Sequence, residues 1–161
     1  MDWAKVSADL RRYTNLATDP VGVRMVRTSK EIIEIEDAKL LTKTALCQMA
    51  LMARYYKEEG ITAAAAEGIK CVWGASAVGM MRSPERLSRG DLYMQFVADQ
   101  DAARRMHSAI GMMGDDERSY AGIHFAPLGL MTPDPDAILM YVTPAQALRP
   151  VSYTHLRAHE T

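Results

Sequence analysis

Two cysteines, Cys47 and Cys71, carry the clearest chemistry in this chain, and each stands where a helix is expected to begin. A thiolate is both a nucleophile and a soft metal ligand, and the unpaired N–H groups of a helix start favour it. The pair points to a metal ion, an iron–sulfur cluster or a redox cofactor held through sulfur. Two thiols do not fill a closed zinc site, so His107, His124 or a further segment has to complete one. No C-x-x-C spacing joins the cysteines, and the plain alternative is that both are small packing residues. Neither a reaction nor a substrate follows from the residues alone.

A second class of function is a non-catalytic module that holds a small anion on backbone N–H groups. The apolar run Ile69 to Val72 reads as a buried strand, and Gly74 with Gly79 lets the chain turn tightly into a helix. Ala137 to Val142 reads as another buried strand, followed at once by a helix with Thr143 as cap and Pro144 in its first position. If the two junctions share one sheet edge, they line a common crevice. Gly74, Ala75 and Thr143 would then bind the ligand, with Gln146 and Arg149 assisting. Arg24, inside an apolar run, is either an outward-facing charge or an anion contact. Three familiar motifs fail at Gly74–Gly79. Met80 and Met81 replace the Lys and Ser/Thr of a phosphate loop, the nucleophile elbow is one residue too long, and no G-x-G-x-x-G occurs.

Composition narrows the partners. The chain has 161 residues, 48% hydrophobic and 24% charged, the make-up of a soluble globular domain. A net charge of -1 gives nucleic-acid binding no electrostatic footprint. No apolar run approaches the ~18 residues that span a bilayer, and residues 1–10 are amphipathic rather than a signal peptide. Two cysteines suit a reduced, cytoplasmic setting better than a disulfide scaffold. Twelve methionines are read as adaptable core filler.

The elements that position these residues follow from periodicity. Trp3, Val6, Leu10 and Tyr13 predict an amphipathic helix ending near Asn15. Val21 to Val26 predicts a strand, with Gly22 marking close approach of another backbone. Glu31 to Asp37 is an edge strand or loop, with Glu34 and Glu36 on one face if it is a strand. A helix is expected from Thr42 or Thr44, with Leu46, Met49, Ala50, Ala53 and Tyr56 inward and Gly60 as its stop. Thr62 then caps an alanine-rich turn closed by Gly68. Arg82 to Asp91 is a polar connection and Leu92 to Val97 a strand. Asp99 caps a helix to about Met113 with Ala102, Met106, Ala109 and Ile110 inward. Tyr120 to Pro127 is a strand, and Pro133 to Asp136 a rigid turn. The sum is an α/β or α+β fold, one domain with a mixed sheet of about four or five strands flanked by helices.

Several blocks stand in a familiar order. Asp19-Pro20-Val21-Gly22-Val23-Arg24 is similar to Pro-Pro-Val-Ala-Val-Lys. Cys47-Gln48 and Cys71-x-x-Gly74-Ala75 follow, then Pro135-Asp136-Ala137-Ile138-Leu139 and Pro144-Ala145-Gln146-Ala147-Leu148-Arg149. Over roughly Leu16 to Arg149 the chain resembles the uncharacterised ArCR family, a domain of unknown function. Asp19, Gly22 and Trp73 depart from the pattern. The resemblance implies a cytoplasmic protein without an established reaction, and a longer domain with a further glycine- and cysteine-containing segment. Residues 1–149 are accordingly expected to be the N-terminal part of an incomplete domain, with an apolar face left uncovered. Residues 150–161 are expected to be a non-native tail, because Val151 to Thr161 is similar to a translated sequencing adapter that ends unrelated metagenomic reading frames. His155 and His159 in it are given no ligand role.

Overall fold

Local chemistry sets the ends of the first helix. The structure, a computed structural model, describes residues 1–35, 38–55, 60–64, 68–115 and 120–150. Helix α1 (Trp3–Thr14) opens on Asp2, whose carboxylate accepts the Lys5 N–H, and closes on Asn15 in the left-handed conformation. Arg11 and Arg12 occupy its last turn, where cations suit the helix dipole. Its buried face is not the bulky stripe. Ser7 and Thr14 are inside, while Tyr13 is 66% exposed. The reason is close approach: a side-chain carbon on Gly129 would lie 3.5 Å from Ala4 and 3.7 Å from Ser7, so small residues face that turn.

Five strands form one mixed sheet in the order β2-β3-β4-β1-β5. They are β1 (Val21–Val26), β2 (Ala38–Leu41), β3 (Gly60–Ala64), β4 (Gly122–Pro127) and β5 (Ala137–Leu139). Only β2 and β3 run parallel; β1 pairs antiparallel with both β4 and β5, and β3 antiparallel with β4. The fold is thus mixed α/β, with the expected strand number. Alternation sends Val21, Val23, Ile123 and Phe125 to one face, against Met49, Ala50 and Ala53 of α3 (Leu46–Tyr55) and Ala75 of α4 (Val72–Ala77). Gly22 points to the other face. A carbon there would lie 2.9 Å from the Met131 side chain, so the close approach comes from a side chain rather than a backbone.

A second cluster lies beyond α4. Leu87, Tyr93, Ala103 and Met112 pack together, with Trp73 of α4 laid against them. They come from α5 (Glu85–Ser88), a turn of 3-10 helix at Asp91–Tyr93, α6 (Gln100–Ile110) and the segment after it. Asp99 caps α6 as expected, accepting the Asp101 and Ala102 N–H groups. Its inward residues are Ala103 and His107; Met106 and Ile110 are 41% and 51% exposed.

Other expectations change. Ile69 makes a single bridge, and Val72 already begins a helix, so 69–72 is not a strand. Ser29–Glu34 is a short helix, α2, because the Thr28 hydroxyl and Glu31 form a reciprocal cap. Gly60 opens β3 rather than closing α3, and Thr62 lies within β3. Leu92 to Val97 winds into turns, with Phe96 and Val97 N–H groups both on the Tyr93 carbonyl. Strand β5 is three residues long and exposed throughout, an edge strand rather than a buried one. Glu36, Asp37, Tyr56, the 65–67 part of the alanine-rich turn, and the whole 151–161 tail with His155 and His159 lie outside the described residues.

Two tests follow from this packing. Gly90 has φ +85°, and a side-chain carbon there would sit 2.7 Å from the Ala103 carbonyl carbon and 2.8 Å from the Arg104 nitrogen. Both obstacles are backbone, so Gly90→Ala is expected to cost more than about 2 kcal/mol in urea unfolding. His124, 2% exposed in the middle of β4, is pushed by burial from 6.5 to about 4. Keeping it neutral contributes stability that is complete above its unfolded value and lost as the pH falls from 6.5 towards 4. That loss is about 3 kcal/mol. Unfolding curves at pH 7 and pH 4.5 should show it, and His124→Gln should flatten the difference.

Candidate functional site

The two cysteine-bearing turns are joined by a clamp of backbone bonds. Thr44 and Ile69 form a parallel bridge. The Thr44 N–H donates to Gly68 (2.8 Å), and the Lys70 N–H donates to Thr44 (2.6 Å). From this bridge one strand of chain enters α3 at Leu46 and the other enters α4 at Val72. A carbon added to Gly74 would lie 3.3 Å from Leu46 and 3.8 Å from the Cys71 sulfur, so the two helix starts touch. Cys47 follows Leu46 directly, and both cysteines are free and exposed.

Cys71 does the work usually given to Ser, Thr or Asp. As the cap of α4, its sulfur accepts the Gly74 N–H at 3.5 Å. Neither Thr42 nor Thr44 caps α3. Thr44 is committed to the bridge, and Gln48 reaches back to accept the Ala45 N–H (3.1 Å).

The residues assigned to an anion are already bonded within the chain. The Gly74 N–H is on Cys71 sulfur, and the Ala75 N–H is on the Cys71 carbonyl at 3.0 Å. Thr143 and Gln146 cap the last described helix, α7 (residues 144–150), reciprocally: the Thr143 N–H donates to Gln146 Oε1 (2.8 Å), and the Gln146 N–H to Thr143 Oγ1 (3.4 Å). The Gln146 amide also donates to the Asn15 carbonyl, and Arg149 donates to the Tyr13 carbonyl (2.9 Å). Both bonds close the C-terminal end of α1. The chain reaches α4 after β3, next to one edge of the sheet, and reaches α7 after β5, at the other edge, with β4 and β1 between them. The junctions therefore do not form a common crevice on one edge.

The profile of a known family, described as uncharacterised ArCR, matches residues 9–158. The chain belongs to the uncharacterised ArCR family. No curated protein and no solved structure matches it significantly. No helix among the described residues of this ArCR chain is long and apolar enough to cross a membrane.

The histidines do not join the cysteines. Among the described residues no group of three or more His, Cys, Asp or Glu is placed to hold a metal. His124 is buried within the sheet, directly across from Arg24 in the β1–β4 register. His107 is buried in the second cluster, with Nδ1 3.3 Å from the Tyr93 hydroxyl and Nε2 3.5 Å from Asp115. A carboxylate only accepts, so in the neutral ring Nε2 carries the hydrogen and Nδ1 accepts from the Tyr93 hydroxyl. Burial pushes the Tyr93 phenol above its ordinary value. Burial also acts to raise Asp115, but the Ser83 N–H and His107 outweigh it and hold the carboxyl below its ordinary value. This Asp115–His107–Tyr93 line was missed because its members lie on three separate elements and only His107 had a helical position to read. It ends under an apolar groove of about 420 Å³ floored by Trp73 and Tyr93 and rimmed by Phe96, Met106 and Ile110.

Tyr93→Phe keeps the ring and strips Nδ1 of its donor in a buried place. The expected loss is about 1–3 kcal/mol in urea unfolding. Nitrogen-15 spectra of the unmodified chain should show the neutral His107 ring as its Nε2–H tautomer.

Proposed function

We propose that this ArCR chain holds a thiol-bound group, a metal ion, an iron–sulfur cluster or a redox cofactor, between Cys47 and Cys71. The observation that supports it is the Thr44–Ile69 bridge, which sets the starts of α3 and α4 side by side with both thiols open to solvent. Burial is the usual fate of a free cysteine that serves only to pack, and neither is buried. Thiolates at helix starts favour soft, thiophilic ions. Exposed thiols also suit a reduced, cytoplasmic setting.

The donor set fits a site with open positions rather than a closed one. Two sulfurs are present, and no third His, Cys, Asp or Glu joins them among the described residues. Further ligands would be water, a small molecule or residues outside the described ones. The bound group would supply Lewis-acid or electron-transfer chemistry; the chain's own part is to hold two sulfurs at a fixed separation on two helix starts. The anion-binding alternative at Gly74, Ala75, Thr143, Gln146 and Arg149 has less support, since an anion there must displace internal hydrogen bonds.

Anaerobic expression of the full chain, followed by elemental analysis and absorbance spectroscopy, tests this. Stoichiometric iron or zinc is expected, falling at least tenfold in Cys47→Ser and in Cys71→Ser. Colourless, metal-free protein that melts normally in both variants would sink the reading.

A further inference from the structure

The sheet face opposite α3 and α4 carries a separate hollow. It has a volume of about 550 Å³, inside the range of small-ligand sites. Arg24 and Val26 of β1 form its floor, Glu31, Glu34 and Ile35 one wall, and the Thr132–Pro133 turn the other. Nothing in the thiol reading uses these residues.

Arg24 is held in one orientation with part of its hydrogen-bonding capacity unused. Its Nη1 donates to Asp136 Oδ1 (3.2 Å) and to the Asp134 carbonyl (3.3 Å). The other oxygen of Asp136 accepts the Met25 N–H at 2.7 Å, which fixes the carboxylate that fixes the guanidinium. Nε is closed off from solvent and has no hydrogen-bond partner among the described residues, so it is out of a ligand's reach. What remains is Nη2, which can donate two charge-assisted hydrogen bonds.

The facing wall has the opposite sign. Glu31 is positioned by the Thr28 hydroxyl (2.9 Å) and the Arg27 N–H (3.4 Å). Glu34 is met by an exposed Lys30 at 3.5 Å, a pair of small energetic weight in water. Val26, Ile35 and Pro133 supply apolar surface between the charges. A simple anion would meet two carboxylates here, and a simple cation would meet the guanidinium.

We propose that this hollow binds a free α-amino acid with an apolar side chain. Its carboxylate takes Nη2 of Arg24, its ammonium faces Glu31 and Glu34, and its side chain lies on Val26, Ile35 and Pro133. One small molecule then answers both signs of charge at once.

The test is calorimetric titration of the full chain with leucine, with 3-methylbutylamine, which lacks the carboxylate, and with 4-methylpentanoate, which lacks the ammonium. Leucine is expected to bind at least tenfold more tightly than either analogue. Arg24→Lys keeps the charge but loses the planar head that Nη1 anchors while Nη2 donates, and is expected to weaken leucine at least tenfold. Glu34→Gln, at a half-exposed position that the fold does not depend on, should weaken leucine while leaving 4-methylpentanoate unaffected or improved. Thermal melts of each variant confirm that it is folded. The proposal is overturned if leucine does not bind, if 4-methylpentanoate binds as tightly as leucine, or if a folded Arg24→Lys binds leucine unchanged.

Discussion

The backbone clamp at Thr44 is the constraint from which the rest of the helical layer follows. Thr44 gives its N–H to Gly68 and takes one from Lys70, so two chain segments far apart in sequence travel together for one residue. Each then turns into a helix. The positive φ of Lys43 bends the chain into this bridge, an uncommon geometry for a residue with a side chain. Because the bridge is parallel, both helices leave in the same sense, and their N-terminal ends meet. Gly74 is there for that meeting, with Leu46 too near for any added carbon to pass without displacement.

Helix α4 is short, yet two cores depend on it. Ala75 faces the sheet and belongs to the cluster of Val21, Met49 and Phe125. Trp73, two residues earlier, faces away and packs on Tyr93, with ring centres 4.8 Å apart. A six-residue helix has little stability of its own. It is held by burial on both sides and by the Cys71 cap. The thiol proposed to hold a ligand is therefore also the group that starts the helix joining both packed regions, and any modification of that sulfur is felt in the packing.

What the sequence made legible was governed by strong local signals. Asp99 and Thr143 announced helix starts because capping is decided within one turn. Strands β1 and β4 were readable from continuous β-branched and aromatic runs. Failures came where long-range contact overrode pattern. Val6, Leu10 and Tyr13 form a persuasive stripe, but Gly129 brings a backbone so close to α1 that Ala4 and Ser7 face it instead. Ala137 to Val142 is apolar enough for a core strand, yet only three residues pair and all three are exposed. The two thiols could be named from residue chemistry, but the meeting of the helix starts that carry them required the bridge. The Arg24 hollow could not be read, since its walls come from α2 and from a turn about a hundred residues later.

The bonds that Gln146 and Arg149 make to Asn15 and Tyr13 have an effect beyond closing a helix. They leave the first and last described helices sharing a fate. The carbonyls at the end of α1 are satisfied by side chains from α7, so peeling either segment away strands polar groups on the other. Fraying of α1 then carries directly to α7 without passing through the sheet, and the two helices open as a single cooperative unit.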